Sequence, residues 1–159
     1  MSSAEKLTTM IADRMAVTDV VIRYFELVDS KAWERMHEVL TEDTTARWTP
    51  TVLMKGRSDV VAAIRHMIGS DEVVTHHHVA AMTPVIDGDT ARVSVRVRAM
   101  HYGLGPRAGK FYESLAVQPT SFVRTAEGWR LSHHEWRIVA KLGSMEELFA
   151  PELAAGRRH

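Results

Sequence analysis

The 159-residue chain contains no cysteine. That removes disulfide scaffolds, thiolate metal sites and a cysteine nucleophile from consideration. Net charge is also missing, because 20 lysines and arginines balance 20 aspartates and glutamates. The basic footprint that nucleic-acid binding requires is therefore absent. No apolar run approaches the length of a membrane span. The first residues, Met1 to Asp13, lack the basic region and apolar block of a secretory signal. These absences lead to the expectation of a cytoplasmic protein with neither a nucleic-acid nor a membrane partner. The length suits one domain that buries about two-thirds of its unfolded surface. A single domain over 1–159 is expected, with its core at about 10–140 and a tail at 141–159.

What the chain has in excess is histidine, nine in all. His76, His77 and His78 are consecutive, His133 and His134 are adjacent, and His159 ends an Arg157-Arg158-His159 tail expected to be solvated. The first third reads as helix. Ala4 to Val28 has no Gly or Pro, and Ile11, Met15, Val21, Phe25 and Val28 recur at helical spacing. A second helix is expected over Lys31 to Leu40, started by Asp29-Ser30. A short strand is expected over Thr44 to Thr49, and a third helix from Gly56-Arg57-Ser58-Asp59 to Gly69.

From Val73 the texture changes to strand. Val73–Ile86 reads as one segment ended by the hairpin signal Asp87-Gly88-Asp89. In Thr90–Tyr102 strict alternation puts Ala91, Val93, Val95, Val97, Ala99 and His101 on one face, with arginines and Ser94 on the other. Phe111–Arg124 is a further segment, expected to break near Pro119. Trp129–Ala140 is the last strand, and Ser144–Ala155 is expected to hold a short helix. Helices followed by a four-stranded antiparallel meander with one polar face imply an α+β fold, a curved sheet wrapped on helices around a pocket.

The order of signals resembles the nuclear transport factor two-like superfamily, and within it the SnoaL-like and scytalone-dehydratase-like enzymes. The residues that carry the resemblance are Arg23-Tyr24-Phe25 through Asp29-Ser30-Lys31-Ala32-Trp33, then Leu40-Thr41-Glu42-Asp43, Gly56-Arg57, Thr75-His76-His77, Asp87-Gly88-Asp89 and Gly128-Trp129-Arg130-Leu131. The ordered set covers roughly residues 10 to 140. It implies a cone-shaped α+β barrel in which N-terminal helices pack on a curved antiparallel sheet.

Four residues are candidates for catalysis: Tyr24, Asp29, His77 and His101. Asp29 is read in two ways. It is a helix cap, or it is a carboxylate at the end of the first helix with a raised pKa or a histidine partner. The resemblance to dehydratases implies that it pairs with a pocket histidine, and alignment back from Asp87-Gly88-Asp89 puts that histidine at 77. An Asp–His pair fixes the imidazole tautomer and makes it a usable general base. His101 continues an apolar stripe, and resemblance to scytalone dehydratase implies a second pocket histidine there. Tyr24, five residues before Asp29, has the spacing seen in bile-acid dehydratases, whereas scytalone dehydratase places a tyrosine where this chain has Val28. Its hydroxyl is expected to stabilise an enolate oxygen. Phe25, Trp48, Met54, Val97, His133 and Arg137 are expected to line the substrate cavity. Alternation turns His133 inward and His134 outward, unless a bulge swaps them.

The function expected from this set is cofactor-independent dehydration or isomerisation of a small, largely apolar carbonyl compound. A polyketide-type cyclase would use the same base. A non-catalytic ligand-binding or assembly module, resembling the small subunit of a ring-hydroxylating dioxygenase, is the reading from another class. No metal is expected. A homodimer or homotrimer is expected, formed through an outer sheet face carrying Trp136, Ile138 and Met100.

Overall fold

A computed structural model describes residues 2–80 and 82–156; the Arg157-Arg158-His159 tail lies outside them. Helix α1 spans Ser3–Asp29 and opens with a capping box between Ser2 and Glu5. Its second half buries Val17, Val21, Tyr24, Phe25 and Val28, a stripe at helical spacing that packs on the sheet. The expected second helix is a single 3₁₀ segment, Trp33–Glu38, with no side-chain cap. Asp29 therefore ends α1 and caps nothing.

Strand β1 is Leu40–Arg47, β2 is Leu53–Lys55, and α2 is Arg57–Ile68. The segment expected as one strand from Val73 divides into β3, Val73–Ala80, and β4, Val85–Asp87. β4 turns through Gly88, at φ +58°, into β5, Thr90–Gly103. β6 is Phe111–Thr125, β7 is Gly128–Glu135 and β8 is Arg137–Gly143. Short helices α3, Met145–Leu148, and α4, Ala150–Gly156, follow.

The strands form one sheet in the order β2-β1-β7-β6-β5-β3, with β4 on β5 and β8 on β6. Every pairing is antiparallel except β1 with β7, which is parallel. β6 does not break at Pro119. Along its free edge it pairs with β8 up to Val117 and with β7 from Thr120, so Pro119 falls between two partners. A missing N–H interrupts neither ladder there. The helices and curved sheet enclose a cone-shaped interior, as expected. Asp13 pins the outer end of α1 to the sheet: it accepts two bonds from Arg124 (2.9 and 2.8 Å) and one from Trp129 Nε1 (3.2 Å). Among the described residues, no helix is long and apolar enough to cross a membrane.

Candidate active site

The end of α1 faces β3 across the mouth of the cone. Asp29 Oδ1 accepts the Thr75 hydroxyl at 2.7 Å and His77 Nδ1–H at 2.6 Å, while Oδ2 accepts the His77 backbone N–H at 2.8 Å. Burial alone would push this carboxyl up. Hydrogen bonding and charge from His77, with Thr75 and the His77 backbone, more than offset it, so the carboxyl lies below the ordinary carboxylate value. The expected partner is present, and the expected raised pKa is not. An ionised acceptor fixes the proton of neutral His77 on Nδ1 and leaves Nε2 with a free lone pair. Phe25 lies against the His77 ring, with centroids 4.9 Å apart.

His77 is one wall of a cavity of about 400 Å³. Tyr24, Phe25, Trp48 and His101 also line it, as expected, and no lysine or arginine is among its lining residues. Burial pushes the Tyr24 phenol well above its usual value, so it stays protonated, and no hydrogen bond holds its hydroxyl among the described residues. His101 stands at right angles to His77, 5.7 Å between centroids, and its Nδ1–H donates to the Tyr112 carbonyl at 3.2 Å. Burial, helped by the charge of His77, brings the His101 pKa down to about 4. At neutral pH it offers a lone pair at Nε2 and no acidic proton. A larger and more open groove of about 740 Å³, walled partly by Glu34, Glu42, Arg57 and Arg65, runs beside the 3₁₀ segment. The chemistry is assigned to the smaller cavity, which contains the Asp–His pair.

Four expected lining residues are placed elsewhere. His133 is replaced by His134. β7 carries one extra residue where Phe122 pairs with Leu131 but Ser121 pairs with His133, and this bulge reverses the alternation set by Trp129 and Leu131. His133 therefore bonds Thr45 Oγ1 at 2.7 Å, outside the cavity, and His134 is buried in its wall. Arg137 starts β8 on the solvent side and is held by Glu135 at 2.9 and 2.6 Å. Met54 lies on β2, the outermost strand, packed at the edge of the core. Val97 is buried within the core cluster, away from the cavity surface.

Residues that the sequence reading missed complete the wall: Tyr112, Ser114 and Gln118 on β6, Trp136 between β7 and β8, and Phe149 after α3. The alternation Tyr112, Ser114, Ala116, Gln118 was a usable signal. Trp136 was expected on the outer face, but it turns inward where the chain breaks between the two strands. His134 Nε2 accepts Trp48 Nε1–H at 3.2 Å, and burial lowers the His134 pKa to about 3. Among the described residues, no three His, Asp or Glu side chains converge on a common point for a metal ion.

Residues 9–135 match the model of the SnoaL-like domain. No curated protein matches the chain. Among solved structures, a protein from Kribbella flavida is 25% identical with a TM-score of 0.79, over 87% of this chain and 98% of that one. A scytalone dehydratase candidate from Novosphingobium aromaticivorans is 16% identical (TM-score 0.77, 87% and 91% covered). A hexachlorocyclohexane dehydrochlorinase from Novosphingobium barchaimii is 14% identical (TM-score 0.73, 85% and 92% covered). The latter two share the fold. With the family model spanning most of its length, the chain belongs to the SnoaL-like domain family.

Proposed function

We propose that the protein is a lyase or isomerase that uses no cofactor and acts by base-promoted enolate formation on a small, neutral carbonyl compound. The observation that carries this reading is the 2.6 Å Asp29–His77 contact, which leaves a basic nitrogen at the wall of a largely apolar cavity. A pure binding module has no need of a half-buried carboxylate orienting an imidazole, since each such group costs desolvation. A wall without lysine or arginine favours an uncharged substrate. Two structural neighbours are named for eliminations, one of water and one of hydrogen chloride.

In this mechanism His77 Nε2 takes a proton from the carbon next to the carbonyl, and the C–H electron pair becomes the enolate. The Tyr24 hydroxyl donates to the developing oxygen anion. His101 stands neutral beside the new imidazolium. When the enolate collapses, the bond to a β-hydroxyl breaks, that oxygen takes the proton back from His77, and water leaves. Return of the proton to a different carbon gives isomerisation, and attack of the enolate on an internal carbonyl gives cyclisation.

Deuterium incorporation tests the first step without knowledge of the natural substrate. Neutral ketones such as 1-tetralone and 2-tetralone are incubated with the protein in D₂O and followed by proton NMR. The wild type accelerates exchange at the carbon next to the carbonyl, and His77→Gln lowers the rate by about two to four orders of magnitude. Equal exchange in a folded His77→Gln variant removes His77 from the mechanism.

A further inference from the structure

Three adjacent histidines occupy the middle of β3, and the cavity uses one of them. His77 turns inward, so alternation puts His76 and His78 together on the outer face of the sheet, where both are exposed. Their ring centroids lie 4.8 Å apart, with the planes at 83°. Two imidazoles that each give one nitrogen to the same ion, at about 2.0–2.1 Å and at bond angles from square to tetrahedral, have centroids roughly 4.5–5.2 Å apart. The pair already holds that spacing. Among the described residues, neither ring makes a hydrogen bond that would occupy its nitrogens.

The strand pairing adds a third donor. His76 lies opposite Met100 on β5 and His78 lies diagonally from it, so the Met100 thioether shares this outer face with both imidazoles. Directly opposed Cβ atoms are about 4.5–5.5 Å apart, and the unbranched methionine chain has the reach and rotamer freedom to bring sulfur to an ion held by the two rings. The surrounding charge tolerates a cation. Asp29 Oδ2 stands 3.8 Å from His76 Nδ1. A carboxylate on that side of the ring leaves Nε2 as the ligand and raises its basicity. Arg98, opposite His78, is held by Glu113 through bonds of 3.0 and 2.7 Å, which offset its charge.

We infer that His76, His78 and Met100 form a copper site on the outer face of the sheet. Imidazole suits zinc, nickel and copper, affinity among the divalent ions peaks at Cu²⁺, and a thioether in the set favours Cu⁺. The site lies on the opposite face of β3 from the His77 ring. It is therefore independent of the proposed reaction and stands whether or not that reaction is the protein's own.

Copper affinity is measured on the full chain in both oxidation states. Cu²⁺ is followed by titration calorimetry, and Cu⁺ anaerobically by competition with bicinchoninate, whose copper complex is coloured. The wild type binds one equivalent of either ion, and binds Zn²⁺ about tenfold or more weakly than Cu²⁺. His76→Gln and His78→Gln each weaken both oxidation states by about tenfold or more, because one of three protein ligands is lost. Met100→Leu weakens Cu⁺ by about tenfold and leaves Cu²⁺ within about twofold. A rise in melting temperature on adding copper, present in the wild type and absent from both histidine variants, gives a second readout. A wild type that takes up no copper overturns the inference. Copper binding unchanged in a folded His76→Gln/His78→Gln double variant places the ion elsewhere and overturns it as well. Cu⁺ affinity unchanged in Met100→Leu, or zinc held as tightly as copper, contradicts the assignment of the metal.

Discussion

Acid should destabilise this protein well before its carboxylates titrate. His101 and His134 are buried and neutral, with pKa values brought down to about 4 and about 3, chiefly by burial. In the unfolded chain each titrates near 6.5. Between the two values the unfolded state binds more protons than the folded one, so stability rises with pH and is lost as pH falls from about 6.5 toward 4. From pH 7 to pH 5 each imidazole forfeits about 2 kcal/mol, at 1.36 kcal/mol per unit over the one and a half units below 6.5. Together they remove about 4 kcal/mol from a total that for such domains is roughly 5–15 kcal/mol. Asp29, whose carboxyl is lowered, holds its contribution above the ordinary carboxylate value and loses it only at more acid pH. Urea unfolding followed by tryptophan fluorescence at half-unit steps gives the curve directly. His101→Gln should cut the loss between pH 7 and 5 to about 2 kcal/mol. A stability that stays flat over this range, or an equal loss in the variant, would show that the two imidazoles are not held neutral by the fold.

Two further outcomes follow from the same site and surface. Exchange activity should survive prolonged chelation, because a divalent cation on His77 would occupy the lone pair that must take the substrate proton; loss of activity restored by one specific metal would promote a metal mechanism instead. The protein should self-associate, because Tyr102, Phe111, Leu115 and Leu142 are exposed on the outer face of β5, β6 and β8. Sedimentation at micromolar concentration should show a species heavier than the monomer, weakened by Leu115→Asp, and a purely monomeric wild type would contradict this.

Much of the frame was legible because hydrophobic period and burial agree there. The strict alternation of β5 and the Val21, Phe25 and Val28 part of the α1 stripe appear in the structure where the sequence puts them, and with them Tyr24, Phe25 and His101 at the cavity wall, whereas Ile11 and Met15, read into the same stripe, are exposed. The placement of His77 came from the ordered resemblance, since three adjacent histidines on a strand carry no facing signal of their own. What failed to show was non-local. The bulge in β7 that exchanges His133 for His134 arises from its pairing with β6 and leaves no mark in the alternation of Trp129 and Leu131. Asp29 looked like a helix cap or a destabilised carboxyl because only its helix was visible; Thr75 and His77, more than forty residues away, decide its ionisation. Pro119 signals a break only if both edges of β6 are paired at that point, and one is not.

The central claim is that Asp29 fixes His77 with its proton on Nδ1 and its lone pair on Nε2 facing the cavity. Long-range nitrogen–proton NMR of the histidine rings, at slightly alkaline pH, reads that tautomer directly. The wild type should show His77 protonated at Nδ1 and bare at Nε2, and Asp29→Asn, whose amide can donate to Nδ1, should shift the proton to Nε2 and lose deuterium exchange with it. A wild-type His77 protonated at Nε2, or a tautomer unchanged in a folded Asp29→Asn variant, would contradict the account.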